Sequence, residues 1–436
     1  MTRRTPLSYR ILQGWARSAI GVVYRDVNVV GSSRVPRDRP VIVAANHGNA
    51  LADVALMVAK LRDFPHFLAA STWWKRAAVR ALFRFGGVVP IHRRRDGGGV
   101  AKNFSSFEAC YAALGKGANL AIFPEGEMHS EPSLLPLKTG AARIALGAAA
   151  EAGVRGIVIV PVGLVYESRG RFRSDVELNF GAPIEIDDWT SLYRENPNKA
   201  VRAVTDLLAD ALAAATINHG SHDEALVVSR AADFALADEH CGKDSFARRI
   251  VTRRALADAV VRDEQARDDL AGHVREHQED LETLGLRSQP TIALVPLSRR
   301  EWRRLETELT VLAAPAAVGL IANLPVVMLA GAAGRRKREA WQMTYKGVAG
   351  TLLCPIVWTA EAALLSRRFG ARKGVAVAVA GALCGVVALR WYDRFAEYRA
   401  DAALRRVSRE QPRELARARS SRQAVRRAVV TIAGDL

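Results

Sequence analysis

The chain has 436 residues, of which 49% are hydrophobic, and a formal net charge of +18. The length provides for two or three domains, and the hydrophobic fraction is that of a globular chain able to fill a core. The four cysteines (Cys110, Cys241, Cys354 and Cys384) lack metal or disulfide spacing, so we expect a reducing compartment, no disulfide framework and no metal site. Residues 1–24 mix arginines with apolar positions, unlike a secretory signal, so we expect the N-terminal domain to stay in the cytosol.

The basic charge predicts anionic partners, which are nucleic acid, an anionic bilayer surface or phosphorylated small molecules. The sequence has no Cys/His finger, basic zipper or aromatic RNA-binding block, so we expect no nucleic acid partner. A solvated arginine-rich surface is the alternative for many individual arginines.

Residues 1–37 are predicted to form an amphipathic helix followed by an edge strand. Apolar side chains recur through residues 7–24, a spacing typical of a helix that lies on a membrane surface. A helix packed on the domain core has the same spacing, so both alternatives stay open. The strand is predicted at residues 24–30. The apolar positions are Leu7, Ile11, Leu12, Trp15, Ile20, Val23 and Tyr24.

Residues 38–220 alternate strand-like and helix-like segments. This pattern predicts an α/β fold, with a mostly parallel central sheet flanked by helices. In such sheets ligands bind at the carboxyl ends of the strands. The predicted strands are 41–45, 66–70, 88–91, 120–123, 157–162 and 176–180. The predicted helices are 53–62, 73–85, 101–115, 137–152 and 190–215.

The rest of the chain divides by composition into three parts. Residues 221–308 are charged with a helical pattern, which predicts a helical region. Residues 309–390 hold hydrophobic segments, which predict C-terminal membrane-associated helices. Residues 391–436 are basic again, and we expect a tail that is interfacial or disordered.

The first hydrophobic segment, residues 309–334, contains no charged residue and is long enough to cross a bilayer. Pro315 and Pro325 interrupt it, so a kinked span and a re-entrant hairpin are both possible. A buried helical hairpin in a soluble domain is a third alternative. Basic clusters separate the segments and make both loops basic, so the distribution of positive charge does not set the topology.

His47 and Asp53 follow the strand at residues 41–45. A histidine whose tautomer is held by a carboxylate can take a proton from a hydroxyl. Positions six apart on a continuous helix point about 120° away from each other, so the two side chains meet only if a turn intervenes. Gly48-Asn49 is predicted to supply that turn. The alternative is a helix N-cap with an incidental histidine.

Three further polar clusters follow other predicted strands. Arg93 follows 88–91, and its planar guanidinium suits a phosphate. Glu125 and Gly126 follow 120–123. We expect Glu125 to accept from substrate hydroxyls or to orient neighbouring backbone, and Gly126 to offer a free N–H to an oxyanion. Lys138, slightly further on, is predicted to meet a phosphate.

The fourth cluster lies beyond the strand at residues 157–162. Arg173 and Ser174 are predicted to reach an anionic head group, whereas the apolar residues around them read as a core strand and a surface hairpin.

These four clusters, in this order, resemble the glycerolipid acyltransferase family, which acylates glycerol 3-phosphate and lysophospholipids. The family carries His-x4-Asp, Gly-x-x-x-Ile-x-Arg, Phe-Pro-Glu-Gly and Val-Pro-Val/Ile blocks, and residues 38–186 cover all four. The resemblance implies that His47 is the general base and Asp53 orients it. It also implies that Arg93, Glu125 and Gly126 bind the phosphorylated glycerol.

One spacing departs from the family pattern, because five residues rather than four separate His47 from Asp53. This longer spacing, with residues 135–140 and 172–174, is similar to the branch that holds glycerol-3-phosphate and dihydroxyacetone-phosphate acyltransferases. Glu127 also stands where the family often has a small or hydroxyl residue.

The resemblance implies a membrane-bound O-acyltransferase of phospholipid synthesis, whose catalytic domain faces the cytoplasm. Its donor is expected to be an acyl-CoA or acyl-carrier-protein thioester, its acceptor a phosphorylated glycerol, and its partner the lipid bilayer, with no resident cofactor. A 1-acylglycerol-3-phosphate (lysophosphatidate) acyltransferase is the nearest alternative. A non-catalytic membrane-tethering protein is a distant one. A metallophosphoesterase would need a Gly-Asp-x-x-Asp cluster, which the chain lacks.

Overall fold

The protein is described from a computed structural model. The structure describes residues 6–63, 65–91, 100–237, 245–286, 294–335 and 339–434. The chain divides into two compact units. Unit 1 comprises residues 1–217 with 338–344, and unit 2 comprises residues 218–337 with 345–436.

Unit 1 is built on an eight-stranded sheet with the order β1-β7-β6-β2-β5-β3-β4, and β8 pairs with β6. The pairs from β6 through β2, β5 and β3 to β4 are parallel, whereas β6 runs antiparallel to β7 and β8. The predicted α/β class with a mostly parallel sheet is therefore confirmed. The strands are β1 Tyr24–Val30, β2 Val41–Ala45, β3 His66–Ala70, β4 Val89–Ile91, β5 Leu120–Ile122, β6 Val158–Tyr166, β7 Ser174–Phe180 and β8 Ile184–Glu185.

Seven complete helices of unit 1 precede, separate or follow these strands in the described part of the chain. The helix predicted over residues 190–215 is two helices, because Asn196 interrupts it and caps the second with its side chain, which accepts from Lys199 N. The helices are α1 Leu7–Val23, α2 Ala50–Lys60, α3 Ala77–Phe85, α4 Val100–Gly115, α5 Gly140–Ala150, α6 Thr190–Glu195 and α7 Pro197–Ala215.

The central strand β2 is buried on both faces, as expected for a parallel sheet covered by helices. Its side chains alternate between two apolar clusters. Ile42 and Ala44 join a cluster that includes α5 and α7, and Val41, Val43 and Ala45 join one that includes α1 and α2. This double burial fixes the exit of β2, from which His47 follows two residues later.

Unit 2 is helical in the part that the structure describes. Its first three helices agree with the helical region predicted from residue 221. Residue 344 is the last of unit 1, so α12 begins in unit 1. The helices are α8 His222–Ala235, α9 Ser245–Val260, α10 Glu264–Thr283, α11 Arg299–Arg335, α12 Glu339–Phe369, α13 Ala371–Glu410 and α14 Pro412–Ala433.

The basic C-terminal segment differs from the predicted tail. Residues 391–433 are helical, and their apolar side chains are buried with those of α8 and α10 in one core. These side chains recur at spacings of three, four or seven residues, so each helix presents an apolar face and turns most of its arginines outward, although Arg422 is buried and donates to Phe234 O at 2.9 Å. The basic charge of the segment indicated a tail, whereas the spacing of its apolar residues indicates these two helices. The buried positions are Leu404, Val407, Leu415, Ala418, Val425 and Val429.

Three segments of the described chain form helices long and apolar enough to cross a membrane: Arg299–Arg335, Thr344–Phe369 and Ala371–Glu410. The first is a single helix with Pro315 and Pro325 inside it, which favours a continuous span over a re-entrant hairpin. In the second, none of the most apolar stretch is buried inside the protein. A buried hairpin of a soluble domain would have hidden that surface.

Candidate functional site

The residues after β2 and β5 meet at the carboxyl end of the sheet. Asn46 directly follows β2, and its side-chain amide forms the two hydrogen bonds to β6 that a backbone amide of the sheet would form. Its Nδ2 donates to Leu164 O at 3.1 Å, and its Oδ1 accepts from Leu164 N at 2.7 Å. This link to β6 extends the sheet by one residue and holds the chain just before His47.

His47 and Asp53 form the pair predicted from the sequence. His47 Nδ1 lies 2.8 Å from Asp53 Oδ2. Asp53 is fully buried in the first turn of α2, and the same carboxylate oxygen also accepts from Asn49 N at 2.8 Å. A buried carboxylate with these donors keeps the Nδ1–H tautomer of the imidazole and leaves Nε2 as the basic atom.

The chain bends at Gly48 and Asn49 between the two side chains, as predicted, and Ala50 adds a left-handed residue at the start of α2. Ala50 has a φ of +44°, whereas Asn49 is at −142°. A left-handed alanine is strained, because its Cβ crowds the following carbonyl. The fifth residue between His47 and Asp53 is thus accommodated by one left-handed residue at the start of α2.

Replacing Ala50 with glycine is expected to stabilise unit 1 by about 0.5–1 kcal/mol, because glycine adopts a positive φ without steric cost. The measurement is the apparent melting temperature. Ala52→Gly, two residues further into α2, is the matched control and should destabilise by about 1 kcal/mol. A loss of stability of equal size in both variants would contradict the strain at Ala50.

One face of the His47 ring packs against a neighbouring aromatic ring, and one edge of the ring is open. It stacks on Phe123, with ring centroids 4.0 Å apart and planes 14° apart. The side chain is 20% exposed, and Nε2 has no hydrogen-bond partner among the described residues. The imidazole is therefore fixed in orientation with a nitrogen available to a substrate hydroxyl, the arrangement that general-base catalysis requires.

Two tyrosines extend the pair into the core. Tyr166, at the end of β6, donates its hydroxyl to Asp53 Oδ1, the oxygen that does not face His47. Burial, followed by the charge of Asp53, raises the pKa of Tyr166 well above its usual range, so the phenol stays a donor. Tyr24 lies beside it with ring centroids 6.0 Å apart, and its hydroxyl accepts from Asn49 Nδ2 at 3.3 Å. No motif in the sequence predicts a role at this site for either tyrosine.

Removing the Tyr166 hydroxyl is expected to weaken the hold on Asp53. We expect Tyr166→Phe to lower kcat by roughly 10-fold, since a hydrogen bond to a charged group contributes about 1.5–3 kcal/mol. The KM for each substrate should stay unchanged. Tyr193→Phe, which removes the hydroxyl that bonds Glu151, is the matched control. A raised KM with unchanged kcat would mean that Tyr166 acts on substrate binding instead.

Glu125 orients backbone, the second of its two predicted roles. Its side chain is buried, and each carboxylate oxygen is used within the protein. Oε1 accepts from His47 N at 2.9 Å, and Oε2 accepts from Leu135 N at 2.9 Å and bonds His129 Nε2. A carboxylate so engaged has no free face for a substrate hydroxyl, so the predicted contact with the acceptor is not what this structure shows.

Gly126 also differs from its prediction. It has a φ of +73°, and its N–H donates to Phe123 O at 3.0 Å, so that N–H is not free for an oxyanion. Gly48 N–H, one residue after the imidazole, has no hydrogen-bond partner in the described chain and is the better candidate. Lys138 packs against Gly126, where an added methyl group would lie 3.1 Å from Lys138 Cγ. The exposed Lys138 therefore lies at this end of the sheet, and its contact with a phosphate stays a prediction.

Arg173 and Ser174, which are predicted to reach an anionic head group, form hydrogen bonds within the protein. Arg173 Nη1 donates to Gly21 O and Tyr24 O, both at 2.8 Å, and joins the end of α1 to the start of β7. Ser174 is fully buried and donates to Ser168 O at 2.9 Å. Both side chains are structural. Arg93 falls outside the described residues, so its role stays a prediction.

Arg169 is a further cation at the site, and no motif in the sequence predicts it. Its guanidinium packs on Gly48, where an added methyl group would lie 3.2 Å from Arg169 Cζ. Nη1 donates to His129 O at 3.3 Å, and Arg169 O accepts from Asn49 Nδ2 at 3.2 Å. These contacts anchor the positive charge beside the His47 turn. In the described chain, no group of three His, Cys, Asp or Glu side chains could hold a metal ion.

Comparison with known proteins gives a consistent result. The family model described as Acyltransferase matches residues 26–165. The chain is 35% identical over 130 residues to glycerol-3-phosphate O-acyltransferase 2 of Saccharomyces cerevisiae, an alignment that covers 30% of this chain and 18% of the yeast protein. It is 26% identical over 157 residues to the mouse 1-acyl-sn-glycerol-3-phosphate acyltransferase alpha, covering 36% of this chain and 50% of the mouse protein.

Among solved structures, the 1-acyl-sn-glycerophosphate (LPA) acyltransferase of Thermotoga maritima is similar to 47% of this chain and 79% of its own, with 22% identity and a TM-score of 0.35. The family segment falls within unit 1, and His47, Asp53 and Glu125 lie inside it. This chain therefore carries, at residues 26–165, a domain of the acyltransferase family.

Proposed function

We propose that this chain is a membrane-bound glycerolipid O-acyltransferase, with glycerol 3-phosphate or dihydroxyacetone phosphate as the acceptor. The observation that carries the proposal is the imidazole of His47, which is held through Nδ1 by a buried Asp53 and open at Nε2. The yeast relatives named as glycerol-3-phosphate O-acyltransferases support the choice of acceptor.

In the proposed reaction, His47 Nε2 takes the proton of an acceptor hydroxyl as its oxygen attacks the thioester carbonyl of an acyl donor. The tetrahedral intermediate carries an oxyanion, for which Gly48 N–H is the candidate donor. The intermediate collapses, the carbon–sulfur bond breaks, and the thiolate receives the proton held on His47. The ester and the free thiol of CoA or of a carrier protein are the products.

Arg169 and Lys138 are the described cations proposed to receive the acceptor phosphate, with Arg93 as a third. Arg169 has the stronger support, since its guanidinium packs on the residue next to His47. A guanidinium offers paired donors that match phosphate oxygens. The three apolar helices support a membrane location, which suits a product that partitions into lipid, and the catalytic domain is proposed to face the cytoplasm.

The test is the purified full chain with labelled acyl-CoA, offered glycerol 3-phosphate, dihydroxyacetone phosphate and lysophosphatidate in parallel. We expect label in the product of one or both of the first two acceptors. Label only in phosphatidate would overturn the proposed acceptor in favour of the reaction named for the mouse relative. No transfer to any acceptor, from either an acyl-CoA or an acyl-carrier-protein donor, would favour a tethering protein.

A further inference from the structure

The N-terminus of α2 carries the turn between His47 and Asp53, and its first amides need hydrogen-bond acceptors. The first four N–H groups of a helix have no partner within the helix itself. Asn49 stands at the cap position, but in the described part of the chain its side chain caps no amide of α2. Its Nδ2 instead donates to the hydroxyl of Tyr24 at 3.3 Å and to Arg169 O at 3.2 Å. The usual source of a helix cap is therefore engaged elsewhere.

Thr344 supplies an acceptor for α2 from a distant part of the sequence. Its Oγ1 accepts from Leu51 N at 3.1 Å, across 293 positions of the chain. Thr344 is buried, with 7% of its surface exposed. Residues 338–344 belong to unit 1, although the chain on either side of them belongs to unit 2. The hydrogen bond is therefore internal to the unit that carries His47 and Asp53.

Two threonines further along α12 use their hydroxyls differently. Thr351 Oγ1 donates to Gly347 O at 2.7 Å, and Thr359 Oγ1 donates to Pro355 O at 2.6 Å. Each of these bonds reaches the carbonyl four residues back, which is a common arrangement for a threonine inside a helix. Thr344 lies in the second turn of the same helix, and its hydroxyl oxygen bonds an amide of α2. The contact of Thr344 with α2 thus differs from the local bonds of its neighbours.

The Leu51 amide directly follows the strained residue of the turn. Ala50 has a φ of +44°, and on its other side Asn49 N donates to Asp53 Oδ2 at 2.8 Å. A left-handed alanine persists only where the surrounding structure over-determines its conformation. The bond from Leu51 N to Thr344 and the bond from Asn49 N to Asp53 lie on either side of Ala50. Together they hold the turn that sets the position of the Asp53 carboxylate.

We propose that Thr344 is a positioning residue, which caps α2 and thereby keeps Asp53 in the geometry that orients the His47 imidazole. This inference rests on the proposed function, because it gives Thr344 a part in the same reaction. Thr344 acts through the backbone of the turn rather than on the substrate. It is also the first residue of Thr344–Phe369, one of the three segments long and apolar enough to cross a membrane. The turn between His47 and Asp53 is therefore secured by the first residue of a membrane-length segment.

The kinetic test compares two substitutions of Thr344 in the purified full chain. Thr344→Val keeps the shape of the side chain and removes the acceptor, whereas Thr344→Ser keeps the acceptor. We expect Thr344→Val to lower kcat for acyl transfer by roughly 3–10-fold, the effect of one ordinary hydrogen bond, with the KM for each substrate unchanged. Thr344→Ser should stay within about twofold of the parent. Thr351→Val, which removes a hydroxyl that bonds within α12, is the matched control and should keep the parental kcat.

Two further measurements separate positioning from a merely structural role. In the Asp53→Asn background, Thr344→Val should lower kcat by less than about twofold, because the geometry that Thr344 protects is already lost. Hydrogen exchange of the Leu51 amide, followed by mass spectrometry on the full chain in lipid nanodiscs, should be faster in Thr344→Val than in the parent or in Thr344→Ser. The exchange measurement requires no turnover.

The proposal is overturned if Thr344→Ser is as slow as Thr344→Val, or if the loss appears in KM instead of kcat. It is also overturned if the loss is equally large in the Asp53→Asn background, if exchange at Leu51 is unchanged, or if Thr344→Val lowers the melting temperature without lowering kcat. A parent chain that transfers no acyl group would overturn the proposed function and, with it, the kinetic role of Thr344. The exchange rates would still decide whether Thr344 caps α2.

Discussion

Replacement of His47 with alanine is expected to lower kcat for acyl transfer by about 10²–10⁴-fold, the usual contribution of a positioned general base. The loss should appear in kcat rather than in KM, because the imidazole acts on the hydroxyl as the proton leaves. Label transferred from acyl-CoA to the lipid product measures it.

Asp53→Asn should lower kcat by a similar factor for a different reason. The amide can neither stabilise the imidazolium nor hold the same tautomer, because it can present an NH2 group to His47 Nδ1. Since His47 and Asp53 act as one unit, the double variant should be little worse than His47→Ala alone.

His222→Ala, at an exposed histidine that starts α8, is the control for loss of an imidazole elsewhere in the chain. Activity within a few-fold of the parent in both His47→Ala and Asp53→Asn would show that the pair is not the base. Strongly additive losses would show that the two side chains act separately, in conflict with the 2.8 Å contact.

The sequence predicted those parts of unit 1 that follow from short-range patterns. Runs such as Val41–Ala45 are buried on both faces, so their apolar composition marks the strand bounds directly. The His47–Asp53 contact also followed, since both residues flank one turn. The left-handed Ala50 did not follow, because an alanine carries no signal for a positive φ.

The roles of polar side chains that join distant segments were not predictable in the same way. Arg173 bonds to carbonyls about 150 residues away, and Tyr166 reaches Asp53 across 113 positions. In both cases the partner is set by the sheet order, which places β7 beside β1 and β6 beside β2. Composition near each residue holds no information on that order, so Arg173 looked like a ligand for an anion.

Glu125 follows a strand, and its carboxylate has two possible roles, as a ligand of the substrate or as an acceptor that holds the backbone. If Glu125 were a substrate ligand, its mutation would lower the affinity of the protein for the acceptor and would change stability little. In the structure, the Glu125 carboxylate instead accepts from the backbone of His47 and Leu135 and bonds the ring of His129, and so holds these three groups in place. Its removal would leave buried donors without an acceptor, each costing about 1–3 kcal/mol.

We therefore expect Glu125→Ala to destabilise unit 1 by about 3 kcal/mol or more, a fall of roughly 6–12 °C in melting temperature for a unit of this size. Glu125→Gln should lose less, since its amide oxygen can accept from either His47 N or Leu135 N but not serve all three donors. Both variants should lower kcat, because the backbone that carries the imidazole is no longer held.

Glu131→Gln is the matched control, an exposed glutamate in the same loop, and should change neither stability nor turnover. If Glu125→Gln keeps its melting temperature and kcat but raises the KM for the phosphorylated acceptor, the carboxylate binds substrate, and the proposed structural role of Glu125 is wrong. If stability and kcat fall together while KM holds, the buried glutamate acts on the acceptor only through the position it gives to His47.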